Sequence, residues 1–170
     1  TVFLNQGTLT LGDESTDSIT LAGGLDTTGN ATNPATVNVA GTVATTNSAL
    51  DLGAVSLDAA TTLDSGATGG TLNVGAVTGG QALTLDGGTG GAITVASITS
   101  GGDLTVTDGA SATFSGDVNA DAVTLTSSAG TIAFQGNTVI DTSLSVAGTV
   151  SGVSFTGATN TVAGATVFLN

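Results

Sequence analysis

A motif recurs along the chain at intervals of about 20 residues, and this interval limits the possible folds more than any other feature. The segment LNVGAVTGGQALTL begins at Leu72, and the similar segment ITVASITSGGDLTV begins at Ile93, an offset of 93 − 72 = 21 residues. A third related segment, LDLGAV, begins at Leu50, which is 72 − 50 = 22 residues before Leu72. Such a period is typical of a fold built from stacked, similar units.

Three series of positions repeat with this period, and each marks the centre of a short strand. The first series holds lone valine or isoleucine residues, the second holds hydroxyl residues, and the third is mixed. The three series are Val77, Ile98, Val118, Val139 and Val162; Thr84, Thr105, Thr124 and Ser145; and Thr94, Thr113, Ala133 and Ser154. Because all three share one period, each period is predicted to contain three strands.

The strands are too short to form hairpins with a core of their own. In Leu83-Thr84-Leu85 the leucines point to one face and the threonine to the other, because side chains alternate along a strand. Stacked one period apart, such strands pair in parallel and join their apolar faces into one interior. We therefore predict an all-β chain, a parallel β-solenoid with about 20 residues and three strands per coil and roughly eight coils. The small apolar residues predict a narrow interior without room for large aromatic rings.

The period is clearer in some parts of the chain than in others. We predict a single β-solenoid segment, 1–170, with regular coils over 37–170 and irregular register over 1–36. The irregular part contains strands at 9–11 and 19–21 and an inserted loop at 30–35, where Pro34 is tolerated because it has no amide to donate. A β-sandwich is the weaker alternative, since its strands are longer, at about 5 to 6 residues, and follow no fixed period.

The charge composition limits the partners. The chain has no Lys, Arg or His and 13 Asp plus Glu, so its net charge is −13. Phosphates and anionic lipids are held mainly by Lys and Arg, so we expect neither nucleic-acid binding nor docking on a membrane surface. No apolar stretch reaches the roughly 18 residues of a membrane helix, so we expect no membrane insertion. Without His, Cys or Lys the usual nucleophile–base pairs cannot form, and we expect no enzyme activity.

Oxygen-rich segments give the candidate ligand sites. Asp117, Asn119 and Asp121 alternate in GDVNAD, and oxygen ligands at this spacing can hold calcium, the one candidate cofactor; the alternative is that these residues are surface turn formers and that the chain has no cofactor. The clustered carboxylates of GDESTDS (12–18) are interpreted as a solvated turn. The threonines of the second series should form an outer ladder, which we interpret as ordinary exposed sheet and not as an ice-binding face.

The chain carries the same five residues, TVFLN, at 1–5 and at 166–170. One explanation is a tandem array in which a new period begins at the second TVFLN. The other is end-to-end assembly, in which the last coil of one copy meets the first coil of the next. A solenoid has an unpaired strand edge at each end, which isolated domains usually cap, whereas both ends here are apolar strand. We predict a head-to-tail interface of the chain with itself through Val2, Phe3, Leu4, Val167, Phe168 and Leu169.

Coils of this length, rich in Gly, Thr, Ala, Val and Asn and with short strands such as LTV, resemble those of a known family. They are similar to the right-handed parallel β-helices of haemagglutinin-like adhesins and autotransporter passenger domains, from about Val37 onward. The resemblance implies a right-handed helix and a secreted or surface-anchored rod. The lack of Lys and Arg departs from any partner that such adhesins hold through basic residues.

Together these features predict a structural role, as a segment or subunit of an extracellular filament or a cell-surface adhesin stalk. The absence of Lys and Arg removes every trypsin-type cleavage site, which suits an extracellular or cell-surface location. A β-helix that binds or cleaves carbohydrate, with glycans as partners, is the alternative, although the chain has no Trp or Tyr to stack on a sugar. An ice-binding β-solenoid is the weaker one.

Overall fold

The computed structural model describes residues 1–29, 32–99 and 101–170. Over these residues all regular structure is β-strand, and the strands pair in parallel. Abundant Val, Thr and Ile favour this, since branched side chains fit a pleated sheet. The strands are β1 (Thr8–Leu11), β2 (Ser18–Thr20), β3 (Leu25–Asp26), β4 (Thr36–Ala44), β5 (Leu50–Leu52), β6 (Val55–Asp64), β7 (Leu72–Thr78), β8 (Leu83–Asp86), β9 (Ala92–Ile98), β10 (Leu104–Asp108), β11 (Ser111–Phe114), β12 (Val118–Phe134), β13 (Thr138–Phe155), β14 (Asn160–Val162) and β15 (Ala165–Phe168).

The strands stack in three columns, and the chain visits them in the same order in every coil: the Phe column, the Val column and then the Thr column. Long strands such as β12 and β13 turn corners and contribute to more than one column. The Phe column consists of 1–3, 25–27, 50–52, 72–74, 93–95, 112–114, 132–134 and 153–155. The Val column consists of 8–11, 36–39, 55–57, 77–78, Ile98, 118–120, 138–140 and 160–162. The Thr column consists of 18–20, 42–44, 61–64, 83–86, 104–106, 123–125, 143–146 and 165–168.

Each column has eight levels, and the solenoid makes about 7 turns of about 21 residues. We call one pass through the three columns a rung, so that the first rung is 1–20 and the last rung is 153–168. The predicted parallel β-solenoid with three strands per coil is confirmed. The eight coils expected from the sequence correspond to the eight levels, which are joined by about 7 turns.

The pairing register confirms two of the three series. Thr84, Thr105, Thr124 and Ser145 are direct partners in the Thr column, and Thr94, Thr113, Ala133 and Ser154 are direct partners in the Phe column. Both series occupy outward positions, because their strand neighbours on either side are the inward, apolar residues.

The first series is right as far as Val118 and wrong from Val139 onward. Val77, Ile98 and Val118 are direct partners, but the next partner is Thr138, and Val139 pairs with the outward Asn119. One residue of displacement moves a side chain to the other face of the sheet. Thr138 is therefore the buried residue, and its hydroxyl donates to the carbonyl of Gly136 at 3.5 Å. The two corners have the same length, since the inward residue comes four positions after Phe114 in FSGDV and four positions after Phe134 in FQGNT, but in the second corner it is a threonine and the nearest valine follows one position later.

The structure also assigns the two strands of the N-terminal part. Leu9 pairs with Val37 and so belongs to the Val column, whereas Ile19 pairs with Val43 in the Thr column. The predicted loop at 30–35 lies between the Phe and Val columns of the second rung. Pro34 is outside any strand there, and residues 30 and 31 lie outside the described residues.

The interior holds large aromatic rings, contrary to the expectation of a tube too narrow for them. Phe114 and Phe134 are fully buried, and their ring centroids are 4.8 Å apart with planes 6° from parallel. Phe155 continues the stack at 4.9 Å and 8°. Flat rings fit because their stacking distance is close to the spacing of neighbouring strands, about 4.8 Å.

Corners are held by short carboxylate-capped turns. Asp64 and Asp86 each accept a hydrogen bond from the amide two residues ahead, at 2.6 and 2.9 Å, in the loops that leave the Thr column. In the second loop Gly88 has φ +61°, and a Cβ there would lie 2.1 Å from the carbonyl oxygen of Gly66 in the rung before. Stacked loops at this distance require glycine.

Candidate functional site

The most distinctive feature of the molecule is the pair of open ends of the solenoid. At the first rung, Thr1 and Phe3 hydrogen-bond to Asp26 through their backbones, at 2.8 and 3.3 Å, and Val2 forms an isolated bridge to the same residue. The rest of this rung consists of β1, paired to 36–39, and β2, paired to 42–44. Each of these segments pairs on one side only within the described chain.

The opposite end is built in the same way. The last rung consists of 153–155, which pairs with 132–134, β14, which pairs with 138–140, and β15, which pairs with 143–146. Its strands likewise pair on one side only within the described chain, so each column ends in unpaired amide and carbonyl groups. Such an edge is a template for another parallel strand.

Apolar exposure is concentrated at these two ends. Among the described residues, the large hydrophobic side chains that are exposed are Val2 (53%), Leu4 (59%), Val167 (46%), Phe168 (51%) and Leu169 (70%). The partly buried apolar side chains that pack on the core from one side belong to the same two rungs and the short segments beside them: Phe3, Leu9, Ile19, Leu21, Val153, Phe155 and Val162. The predicted interface residues are therefore all at the ends, but whether they mediate assembly remains a prediction.

The two TVFLN segments named from the sequence are only part of the end faces. Each end face is a complete rung, so Leu11, Ile19, Phe155 and Val162 belong to it as well. The period could have revealed them, because a residue within one period of either end pairs on one side only within the described chain.

The two TVFLN segments do not occupy equivalent places. The first lies in the Phe column, where Val2 bridges Asp26, and the second lies in the Thr column, where Val167 pairs with Ser145. A tandem period beginning at Thr166 would place that residue in the Phe column. The structure therefore does not fit a tandem array with an exact period of 166 − 1 = 165 residues, and end-to-end assembly stays a prediction.

Charge is distributed unevenly between the two ends. Asp13, Glu14 and Asp17 lie in the turn between β1 and β2, on the first rung, whereas the sequence from 142 to 170 contains no Asp or Glu. Asp17 accepts hydrogen bonds from the amides of Asp13 (2.9 Å) and Glu14 (3.2 Å), which lower its pKa below the ordinary value. These bonds use the Asp17 carboxylate to hold the turn, as expected for a solvated loop.

A file of carboxylates lies in the middle of the rod. Asp64, Asp86 and Asp108 are register partners on three successive rungs of the Thr column. Burial raises the pKa of Asp86, the amide of Gly88 lowers it, and the like charges of Asp64 and Asp108 raise it further, with a net increase. The file thus combines turn-forming hydrogen bonds with mutual repulsion.

The predicted calcium ligands are spread along one Val-column segment. Asp117 lies at the corner before it, Asn119 within it and Asp121 after it, towards the Thr column. Asp117 and Asn119 are exposed, Asp121 is half-buried, and one Asp117 oxygen accepts the amide of Asn137 at 2.8 Å. In 1–29, 32–99 and 101–170, no group of three or more Asp, Glu, His or Cys side chains is arranged to hold a metal ion. A site of two aspartates and one asparagine falls outside that description, and calcium binding here stays a prediction.

The threonine ladder is longer than the sequence indicated. Its outward positions run from Ser18 through five threonines to Ser145 and end at Val167; the threonines are Thr42, Thr62, Thr84, Thr105 and Thr124. The neighbouring outward file holds Asp64, Asp86 and Asp108, so the hydroxyls form a single row beside a charged one. Ice binding stays an untested alternative.

One cavity opens near the first rung, with a volume of about 210 Å³. It is lined by Thr1, Val2, Gly23, Gly24, Leu25, Asp26, Ala49 and Asp51. Both of its carboxylates are already engaged, since Asp26 accepts the amides of Thr28 and Gly29 and Asp51 accepts the amide side chain of Asn73. The lining contains no aromatic platform for a sugar ring.

Comparison of the chain with protein-family models, with curated proteins and with solved structures found no match. The class of protein is therefore defined by the structure alone, as a parallel β-solenoid repeat protein. Across the described ranges, no helix has the length and apolar character needed to cross a membrane.

Proposed function

We propose that the chain is a rod segment of an extracellular filament or a cell-surface stalk, continued at both ends by more β-solenoid. One observation carries the proposal: the exposed large apolar side chains and the unpaired strand edges of the described chain coincide at the two ends. A further rung at each end would pair those edges and cover the inward-facing side chains there, among them Phe168 and the partly buried Phe3 and Phe155.

The architecture supports a mechanical role. Hydrogen bonds between levels run parallel to the solenoid axis in all three columns, so tension along the axis is shared by three ladders at once. The apolar interior is continuous from Leu11 and Leu25 at one end to Val146 and Val150 at the other. Neither feature needs a ligand, and both extend without change when another rung is added.

The extracellular or cell-surface location is supported by composition and by resemblance. The chain has no Lys or Arg for trypsin-type proteases and no Cys for oxidation. Its coils resemble those of haemagglutinin-like and autotransporter-type adhesins, in which the β-helix is the stalk. The high negative charge should also keep neighbouring rods apart at low salt, since like surfaces repel over about 10 Å at 0.1 M ionic strength.

Electron microscopy of the purified chain at rising concentration tests the proposal. We expect rods of constant width whose lengths increase in steps of about 38 Å, which is eight levels at about 4.8 Å each. Val167→Asp, which places a charge on the neutral last rung, should shorten the rods, whereas Thr124→Asp, at the equivalent outward position in the middle, should not. Particles of one length at every concentration would contradict self-assembly.

A further inference from the structure

We infer that a second copy of the chain docks its first rung on the last rung of this one in a single register, with Phe155 against Phe3 of the second copy. The inference rests on the proposed end-to-end function. It adds the partner, which is the chain itself, the polarity of the contact and the residues that meet.

The order of the columns makes the two ends complementary. The chain enters the first rung in the Phe column and leaves the last rung in the Thr column, so every rung runs Phe, Val, Thr. A copy moved along the axis by eight levels therefore sets each column of its first rung on the same column of the last rung. No column is left without a partner.

The register follows from the pairing inside the chain. Val2 bridges Asp26, and Asp26 is connected through successive direct partners to Ser154, so Val2 and Ser154 are equivalent outward positions. The next residues, Phe3 and Phe155, are then equivalent inward positions. If the Phe column continues across the junction, Phe3 of the second copy lies directly on Phe155 of the first.

The aromatic stack would thereby gain a fourth ring. Phe114, Phe134 and Phe155 stack at 4.8 and 4.9 Å, and Phe155 is only partly buried because no ring lies beyond it. Phe3 is also partly buried and packs on the core from one side only. The open face of each ring is on the side that the junction closes.

The other two columns bring together apolar residues as well. In the Val column, Val162 would lie over Leu11 of the second copy. In the Thr column, Phe168 would lie over Ile19 of the second copy, just as it lies over the fully buried Val146 within its own chain. Two inward positions of the last rung, Asn160 and Thr166, are polar, so this contact should be weaker than one between internal rungs.

Charge disfavours contact between two first rungs. The first rung carries Asp13, Glu14 and Asp17, and the last rung carries no acidic residue. Two first rungs brought together would set these carboxylates against each other, with no Lys, Arg or His in the chain to compensate. Joining a first rung to a last rung avoids that repulsion.

Cysteine trapping tests the register, because the native chain has no Cys. The outward pair Val2→Cys with Ser154→Cys, made in one chain, would place the two Cα atoms about 4.8 Å apart across the junction, within the range for a disulfide. Leu4→Cys with Ser154→Cys is the matched control, since a shift of two residues separates the Cα atoms by roughly 8 Å, which is too far. Each single variant is oxidised in parallel, and sedimentation equilibrium of the native chain measures association without cross-linking.

We expect a ladder of disulfide-linked multimers from the Val2 and Ser154 pair, at least about ten-fold more abundant than from the control. Association of the native chain without that ladder would overturn the register and leave the proposed function standing. Disulfide-linked dimers of the single variant Ser154→Cys, in a yield equal to that of the double variant, would show tail-to-tail contact and overturn the polarity. A native chain that stays monomeric would overturn this inference together with self-assembly.

Discussion

The middle of the rod and its last rung carry apolar side chains at several equivalent inward positions, but only the middle buries them. Val146 is fully buried, whereas Phe168, its partner one level further on, is 51% exposed. Phe134 is fully buried between two rings, whereas Phe155 has a ring on one side only. The sequence of the coil is similar in both places, and what differs is the presence of a next rung.

This difference shows where the stability of a coil comes from. A rung buries only part of its own inward side chains, and the rungs before and after it bury the rest. End rungs should therefore open first, and substitutions there should cost less than the same substitutions in the middle. Variants of the two regions should differ in stability, and they are compared at a protein concentration low enough to prevent association.

The largest contrast should come from the aromatic stack. Phe134→Ala removes a fully buried ring with a neighbour on each face, and we expect a loss of about 3–5 kcal/mol in the free energy of unfolding. Phe155→Ala removes a ring with one open face, and about 1–2 kcal/mol should be lost. Denaturant unfolding of both variants measures the difference. Equal losses would show that the last rung is closed by something within the chain.

A smaller contrast is expected between two glycines. Gly88→Ala in the middle forces a side chain into φ +61° and against the carbonyl of Gly66, so we expect a loss of about 1–3 kcal/mol. Gly7→Ala on the first rung meets no atom within 4 Å of the added Cβ and should change stability by less than about 0.5 kcal/mol. Thermal melts compare the two variants, and a harmless Gly88→Ala would mean that the stacked loops are not in contact.

Replacing a carboxylate by an amide should have the smallest effect on the melting temperature, and the sign of the change should differ between the two regions. Burial, Asp64 and Asp108 raise the pKa of Asp86, so its ionised form is less favourable in the fold than in the unfolded chain. The stabilisation from neutral Asp86 is complete below the ordinary pKa of about 4 and is lost as pH rises through the raised value. Asp86→Asn should therefore raise the melting temperature at pH 7 by about 1–4 °C, because the repulsion from Asp64 and Asp108 is relieved while the turn acceptor remains.

Asp17 on the first rung is the opposite case. Amides of Asp13 and Glu14 lower its pKa, so its contribution is present above the ordinary value and is lost as pH falls through the lowered one. Asp17→Asn should lower the melting temperature slightly at pH 7, and this difference should vanish only below the lowered pKa of Asp17, whereas Asp86→Asn should already converge on the native chain near pH 3. A stabilising Asp17→Asn, or a difference for Asp86→Asn that persists at pH 3, would contradict the assignment.

Sequence reasoning predicted the period and the columns because alternation and recurrence are local properties. It failed at Val139, since the inward position four residues after Phe134 holds Thr138 and not the valine beside it, and both valine and threonine are accepted on either face. It also predicted an interior too narrow for large aromatic rings, although Phe114, Phe134 and Phe155 follow one another at intervals of 20 and 21 residues. Equal spacing was a better guide to the core than average side-chain size.

The candidate site was predictable in part. Identical TVFLN segments identified both ends of the rod, but identity of sequence did not reveal that one lies in the Phe column and the other in the Thr column. That placement depends on the number of residues in every corner between them. It is a property of the whole chain and becomes visible only when the rungs are stacked.

Hydrogen exchange of the backbone amides, followed at increasing protein concentration, tests most directly whether each rung is closed by its neighbours. At low concentration we expect slow exchange over 118–134 and fast exchange over both 1–20 and 153–168. As concentration rises, the two end rungs should become protected together while the middle stays unchanged. End rungs as protected as the middle in dilute solution, or end rungs that never gain protection, would contradict the account.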